Sequence, residues 1–373
     1  MSSVPSHETK AGNIFSQMFP VPQWMRPYSA AIDISQSSIK FLTLKNEKGN
    51  VFPDVFFQIA VPEGVIRAGE IIKVEALVQL LKGISSRFGG GTVHVALPEE
   101  FAYVFPITVL NANDQEQVRT AVEFSLSEHV PLPLGQIVYD WVEIPADAST
   151  KSRYVSVTGY DVKNSEQYRE VLERAGFTVL SFEPEVHAAA RACVPKDVQE
   201  YGLVLLIDIG RTRTGVTALW NGVPISTTTI DHGGSSLTSV FLEIAKNDLE
   251  KAEMLKQEQG LGIMSTHPES KEKLEACLVE WAGKINTYIE YLGETHAVAE
   301  VPLPKISRAI LCGGEVAVPG IVDWIAAHVT LPVTPANVWQ NMFSYENFIP
   351  EIERAVSFRL ATTVGLALRN LDQ

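Results

Sequence analysis

Cysteine is scarce. Cys193, Cys277 and Cys312 are the three in 373 residues, too few and too scattered for a disulfide framework or a cysteine metal site, and they read as reduced core thiols of a cytosolic protein. Basic charge is also short: 30 Lys and Arg stand against 44 Asp and Glu, a formal net charge of −14. No nucleic-acid partner is expected, and no general attraction to anionic lipid. No apolar run approaches the roughly 20 residues that a membrane-spanning helix needs. No basic-then-apolar leader opens the chain, so export is not expected. Of the eight histidines no pair has metal-ligand spacing, and they read as structural.

What the chain does hold is a repeated hairpin. Residues 203–207 are an unbroken apolar run, the pattern of a strand buried on both faces. The run meets Asp208, a turn containing Gly210, Thr212, Thr214 and Gly215, and a second apolar strand over 216–220. Asn221-Gly222 then signals another hairpin. A glycine- and hydroxyl-rich turn can offer backbone N–H groups to phosphate oxygens, while the strand-end carboxylate holds a hydrated Mg²⁺ nearby. One such turn says little, since most tight turns only join strands. The chain has a second: Ile32-Asp33-Ile34 runs into Ser35, Gln36, Ser37, Ser38 and Lys40, with a strand over 41–44. Both copies read Ile-Asp-Ile, carry a hydroxyl four places after the Asp (Ser37, Thr212), and lead to a third strand (55–61, 223–230). So wide a repeat implies duplicated domains rather than a solenoid, with a nucleotide clamped between two facing turns.

The length suits two domains or one bilobal unit, and the pattern divides the chain accordingly. Residues 1–27 begin polar, expected to be disordered, and continue into a proline-broken apolar segment (Ile14, Phe15, Met18, Phe19, Val21, Trp24, Met25). That segment is either a strap on the protein's own core or a foot for a membrane or partner. The first duplicated domain is expected over 28–98 and 177–198. An inserted βαββα unit takes 99–176. The second domain takes 199–236 and 305–373, and a helical lid fills 237–304. In the insert, Phe101, Tyr103 and Phe105 alternate to one side of a strand, with Ala102, Val104 and Pro106 on the other. Tyr139 and Trp141 stand likewise opposite Val138 and Val142. Both sides are apolar, yet a small sheet covers only one face with its own two helices. Either the first domain covers the second face, or these aromatics line a peptide groove.

Two Asp-turn hairpins followed by a strand and Gly313-Gly314-Glu315 resemble the two phosphate motifs and the adenosine motif of the actin-like ATPase superfamily. The insert follows the strand over 93–97, as it does in the FtsA-like branch. The stretches VHVALP, EFSLSEHVPLPLGQIVYDW, YREVLERAGF and DHGGSSLT resemble the PilM family of type IV pilus assembly proteins. The likeness runs from about residue 28 to the C-terminus. It implies an α/β actin-like ATPase fold of two RNase H-like domains, binding ATP and Mg²⁺. By that resemblance Asp33 and Asp208 hold the hydrated metal. Ser35, Ser37, Ser38 and Lys40 flank the phosphates on one side, and Gly210, Thr212 and Thr214 on the other, with Gly233 and Gly234 beside them. Glu253 and Lys256, from a stretch resembling the family's AExLK helix, reach the ribose and adenine. Their i, i+3 spacing does share a helix face, although a solvated charged helix reads the same. Gly313, Gly314 and Glu315 approach the adenosine, where glycine lets backbone come close. Glu183, directly before Pro184, takes the place of the acid that orients attacking water. The family's usual Gly after Asp-Ile is Ser35 here, so its side chain either crowds the phosphate or adds a contact.

The resemblance implies a cytoplasmic scaffold of the pilus inner-membrane platform, with slow ATP turnover or none. The insert-bearing domain would capture the short N-terminal cytoplasmic peptide of a bitopic, PilN-like membrane protein, making membrane association indirect. Contacts with pilus assembly ATPases and self-association into a homo-oligomer stay open. Two competitors remain. A sugar or small-molecule kinase would need a substrate base and a sugar loop, neither of which the sequence offers. An FtsA-like filament former would end in an amphipathic membrane helix, whereas residues 354–373 read as a domain-closing helix.

Overall fold

The computed structural model describes residues 29–47, 50–110, 114–145, 152–195, 202–294 and 303–369. The expected strap or foot within 1–27 lies outside the described residues. The first sheet begins with the meander β1 (Ser29–Ile34), β2 (Ser38–Glu47) and β3 (Asn50–Ala60). A short ribbon, β4 (Ile66–Arg67) and β5 (Glu70–Ile71), leads to a helix at Val74–Phe88. That helix buries Leu77, Val78, Leu81 and Ile84 and ends at Gly89 in the left-handed region, where a side chain would be strained. Strand β6 (Gly91–Leu97) then pairs parallel to β1.

The chain now leaves this sheet for a smaller one. Strands β7 (Ala102–Leu110), β8 (Ile137–Ile144) and β9 (Ser152–Asp161) pair antiparallel in the order β7-β9-β8. The helix Gln115–His129, capped by the Asp114 side chain on the Gln117 N–H, covers one face. Its Val118, Val122 and Leu126 meet Phe105, Ile107, Val109, Val155 and Val157 in a separate core. The opposite face is covered along β9 in part by the first domain, as one expectation had it, and in part by the second large sheet. The ring of Tyr154 lies 5.0 Å from that of Trp220, the Ser156 hydroxyl donates to the Pro224 carbonyl, and Thr158 bonds His187 at 2.9 Å. Trp220 and Pro224 belong to the second large sheet. Strand alternation gives the two faces but not which distant element lands on each.

After the helix Val162–Arg174, strand β10 (Phe177–Pro184) returns to pair with β6, completing the order β10-β6-β1-β2-β3. The second sheet repeats that plan. β11 (Leu203–Ile209), β12 (Thr214–Trp220) and β13 (Val223–Ile230) form its meander. β14 (Ile306–Cys312) and β15 (Val333–Pro335) add parallel to β11, in the order β13-β12-β11-β14-β15. Asp33 sits opposite Lys40 in one meander and Asp208 opposite Gly215 in the other, so both carboxylates stand at the same place in the repeated topology. Between β13 and β14, the described residues form four α-helices, Gly234–Ile244, Leu249–Glu258, Ile263–Thr266 and Lys271–Glu294. The last is held by a stripe from Leu274 through Trp281 and Ile285 to Leu292, which removes about 1.5–3 kcal/mol worth of apolar exposure for each large side chain.

Two helices lie between the sheets, Glu185–Cys193 and Ala361–Leu368. Their shared core draws on Ala31 and Ala96 of the first sheet and on Val204, Leu206 and Ile310 of the second. A Cβ on Gly365 would fall 1.7 Å from the Ala188 carbonyl oxygen, so only glycine permits this crossing. No helix among the described residues is long and apolar enough to cross a membrane.

Candidate functional site

A cavity of about 460 Å³ opens between the two sheets at the ends of β1 and β11, within the range of small-molecule sites. Its walls include Asp33, Ser35, Ser37, Ser38 and Lys40 on one side, Asp208, Gly210 and Thr212 on the other, and Glu253, Lys256 and Gly313 to Glu315 at one end. The first turn is closed internally. The Ser35 amide and hydroxyl both donate to the Ser38 carbonyl, at 2.9 and 3.0 Å, and the Ser38 amide donates back to the Ser35 hydroxyl at 3.2 Å. The Ser35 side chain, which lines the cavity, folds across its own turn, a side-chain mimic of a backbone turn. Its φ is not among the positive values of the described residues, so the backbone does not require glycine there. The second turn is closed by the Gly210 amide on the Arg213 carbonyl at 3.0 Å.

The floor is a cluster of carboxylates. The Lys40 ammonium sits 2.6 Å from the Asp33 carboxylate. Burial pulls the Lys40 pKa down, but the charge and hydrogen bond of Asp33 outweigh it and hold the ammonium above its usual value. Asp208 is pushed up to about 6, chiefly by burial, with Lys40 opposing and the Asp33 charge adding. Two further acids face it. Glu99 is raised to about 7 by burial and then by the Asp208 charge, and Glu185 is raised well above the carboxylate range by burial and by Asp33. Negative charge here exceeds what Lys40 and Arg213 neutralise.

At the other end, Lys256 is buried rather than solvated, at 3% exposure. Its ammonium reaches the Thr238 hydroxyl at 2.8 Å, Glu253 at 3.0 Å and Glu315 at 3.1 Å, which fills its three donors. Burial raises the Glu315 pKa, and Lys256 opposes the shift. Gly313, with φ 94°, lies so close to Asp208 that a Cβ would stand 2.3 Å from the Asp208 carboxylate oxygen. Glycine is needed there both for conformation and for space.

Several expected residues stand elsewhere. Thr214 is fully buried behind the second turn, donating to the His232 carbonyl at 2.7 Å and accepting from the Trp281 indole at 3.0 Å. Gly233 and Gly234 also support the turn from behind. A Cβ on Gly233 would meet the Arg213 amide nitrogen at 2.5 Å, and the Gly234 amide donates to the Gly210 carbonyl at 3.0 Å. Glu183 does not line the cavity. It lies on the far side of β10, held by Arg191 at 2.7 Å and Arg369 at 3.0 Å, which overcome burial and keep its pKa low. The acid in the cleft is Glu185, two residues on, at the first position of the helix. Glu99 and Arg213 are also in the cleft without having been anticipated. Pro98, ending β6, was the one local signal that Glu99 follows a strand pointing into the site.

Among the insert aromatics, Phe105 belongs to the core under the helix Gln115–His129 and stacks on His129 at 4.3 Å. Tyr103, Tyr139 and Trp141 are half-buried on the same helix-covered side, with the Tyr139 hydroxyl donating to Glu123 at 2.5 Å. Phe101 is not in the strand. It ends a 3-10 turn and packs edge-on to Tyr160. These five therefore do not form one groove. The exposed large apolar residues of this sheet, among the described residues, are instead Val138 and Val142 on β8 and Leu110 at the end of β7.

Set beside known proteins, the chain matches the profile of the family described as type IV pilus assembly protein PilM over residues 31–371. The chain belongs to that family. This PilM-family membership favours pilus assembly over the kinase and filament readings. Among solved structures, a PilM–PilN type IV pilus biogenesis complex is similar with a TM-score of 0.75 at 18% identity, covering 93% of this chain and 99% of that one. The ethanolamine utilization protein EutJ of Carboxydothermus hydrogenoformans gives 0.53 at 16% identity, covering 94% and 91%. MreB 5 of Spiroplasma citri, solved bound to AMPPNP, gives 0.50 at 12%, covering 91% and 95%. At such identities these likenesses concern the fold, which is the actin-like ATPase fold.

Proposed function

We propose that this PilM-family chain is a nucleotide-dependent scaffold of a type IV pilus platform, binding Mg²⁺·ATP in the cavity and a membrane partner on the small sheet. The observation that supports the first part is the excess negative charge at Asp33 and Asp208. A hard divalent cation takes oxygen ligands and would relieve the burden that raises the Asp208 pKa. The donor set therefore fits the ion. Bound there, the cation would compensate phosphate charge. Lys40, Ser37 and Thr212 stand where the phosphates of a nucleotide would lie, and Gly313 with Gly314 leaves room for its nucleoside. Glu253 and Glu315 offer carboxylate acceptors for ribose hydroxyls, with Lys256 fixing both in place. ATP hydrolysis needs little beyond positioning and charge compensation. Glu185 is the acid near enough to orient a water, in place of Glu183.

The related complex was solved as PilM with PilN. We extend that partnership here to the N-terminal cytoplasmic peptide of a PilN-like protein. Strand β8 is an edge of its sheet among the described residues, and its Val138 and Val142 are 54% and 46% exposed. An extended peptide adding to such an edge gains main-chain hydrogen bonds, with pockets for alternate side chains giving specificity. Tyr139 and Trp141 would form the helix-side wall, and Tyr103 with Phe101 would support the sheet from within. Membrane association would then come through the partner. Isothermal titration calorimetry with Mg²⁺·ATP, and separately with the synthetic peptide, tests the two parts. No heat with nucleotide refutes the first, and no binding of the peptide refutes the second.

A further inference from the structure

The small sheet is rooted beside the cleft by two acids whose partners lie across it. β6 ends at Leu97, and the 3-10 turn Glu99–Phe101 precedes β7. From this turn the Glu99 carboxylate accepts from the Thr227 hydroxyl of β13 at 3.2 Å. Glu100 is ion-paired with Arg213 of the second turn. Both Glu100 carboxylate oxygens are shut away from water, and the Arg213 guanidinium lies against one of them. The β4–β5 turn closes over them, so that a Cβ on Gly69 would come within 3.2 Å of one. Arg213 is therefore the cation that keeps Glu100 tolerable in this place. Arg213 also lines the same cavity as Lys40 and Asp208, with Glu185 4.0 Å away.

We propose that Arg213 is shared between Glu100 and the phosphates of a bound nucleotide, so that occupancy of the cleft loosens the root of the small sheet. The proposal rests on the reading of the cavity as a nucleotide site. A guanidinium fork matches a phosphate at least as well as a carboxylate, and the two anions compete for it. When Arg213 turns to phosphate, Glu100 is left buried with its partner gone, a costly state. The turn Glu99–Phe101 relieves it by moving toward water. The ligand's preference for the released state is what couples the sites, and the coupling is reciprocal. A partner that holds the small sheet in its displaced position would favour nucleotide binding equally.

The test combines calorimetry of Mg²⁺·ATP with amide hydrogen exchange across residues 99–110 in the full chain. In the wild type, saturating nucleotide should speed exchange there. Glu100→Gln removes the competing charge. It should bind Mg²⁺·ATP at least about fivefold more tightly and show fast exchange at the root before nucleotide is added. Glu100→Asp keeps the charge on a shorter arm and should fall between the two. Arg213→Gln should bind nucleotide more weakly and lose the exchange response. Unchanged affinity and unchanged exchange in Glu100→Gln and Glu100→Asp, with normal binding by the wild type, overturn the proposal alone. Failure of the wild type to bind Mg²⁺·ATP overturns the nucleotide reading and this inference with it.

Discussion

Replacing Asp208 with Asn should make the protein more stable while disabling its metal site. In the fold this carboxyl titrates at about 6, against an ordinary 3.8. A rise of about two pKa units corresponds to about 3 kcal/mol once the group is fully ionised. Asp208 is partly open to the cavity, which screens it, so the expected effect is about 1–3 kcal/mol. The sign follows from the direction. An acid raised on folding binds its proton more readily when folded, so ionising it penalises the native state. The penalty is absent below pH 4, grows as pH rises toward 6, and is complete above. Asn carries no charge at any pH. Its removal of the Asp208 charge also eases the ionisation of Glu99 and Glu185, which adds in the same direction. Urea unfolding of both proteins at pH 4.5, 6 and 7.5, in the presence of EDTA, measures the gap. It should be about a third of its full size at pH 4.5 and reach that full size by pH 7.5. A variant no more stable at pH 7.5, or a gap that does not change with pH, refutes the argument.

Asp208→Ala should abolish the thermal shift that Mg²⁺·ATP gives the wild type, and equal shifts in differential scanning fluorimetry would contradict the metal assignment. Glu185→Gln should depress whatever phosphate release the wild type shows, while Glu183→Ala should leave that rate nearer normal. Glu183→Ala should instead lower stability by roughly 1–3 kcal/mol, because it removes the buried carboxylate that the partly exposed Arg191 and Arg369 both hold; phosphate release and urea melts separate the two. Val142→Lys should weaken capture of the partner peptide without changing ATP affinity, as read by calorimetry. Replacing Phe101 and Tyr103 by Ser should chiefly destabilise the small sheet, visible as a lower melting temperature.

The repeated Asp-turn hairpins were legible because their chemistry is local: an apolar run, a carboxylate and a small turn lie within a few residues in each copy. The sheets followed from the same repeat. Glu183 was misplaced because a strand reverses sides at every residue and Pro184 then starts a helix. Sequence adjacency to the cleft did not reveal which of Glu183 and Glu185 faced it. Thr214, Gly233 and Gly234 read as ligand groups, since the residue types that touch phosphate also suit packing behind a tight turn. Glu99 and Arg213 went unseen because their meaning arises from contacts between segments more than 100 residues apart. The aromatic alternation of the small sheet was real, but its covered face could be assigned only once β13 was seen beneath it.

The crossing at Gly365 bears on the width of the cleft. There the helices touch backbone to backbone, with Ala188 beneath and Ala189, Ala190, Ala361 and Ala367 around the contact. The Arg191 guanidinium, on the first of these helices, also donates to the Gly365 carbonyl at 2.8 Å, so the contact is pinned as well as close. Leu360, just before the second helix, and Val364, Leu366 and Leu368 within it lie in the same core as residues of both sheets. A side chain at position 365 would part the helices at this contact, and the change would be carried outward to the turns that bear Asp33 and Asp208. The spacing of the two carboxylates therefore depends on a position that touches neither.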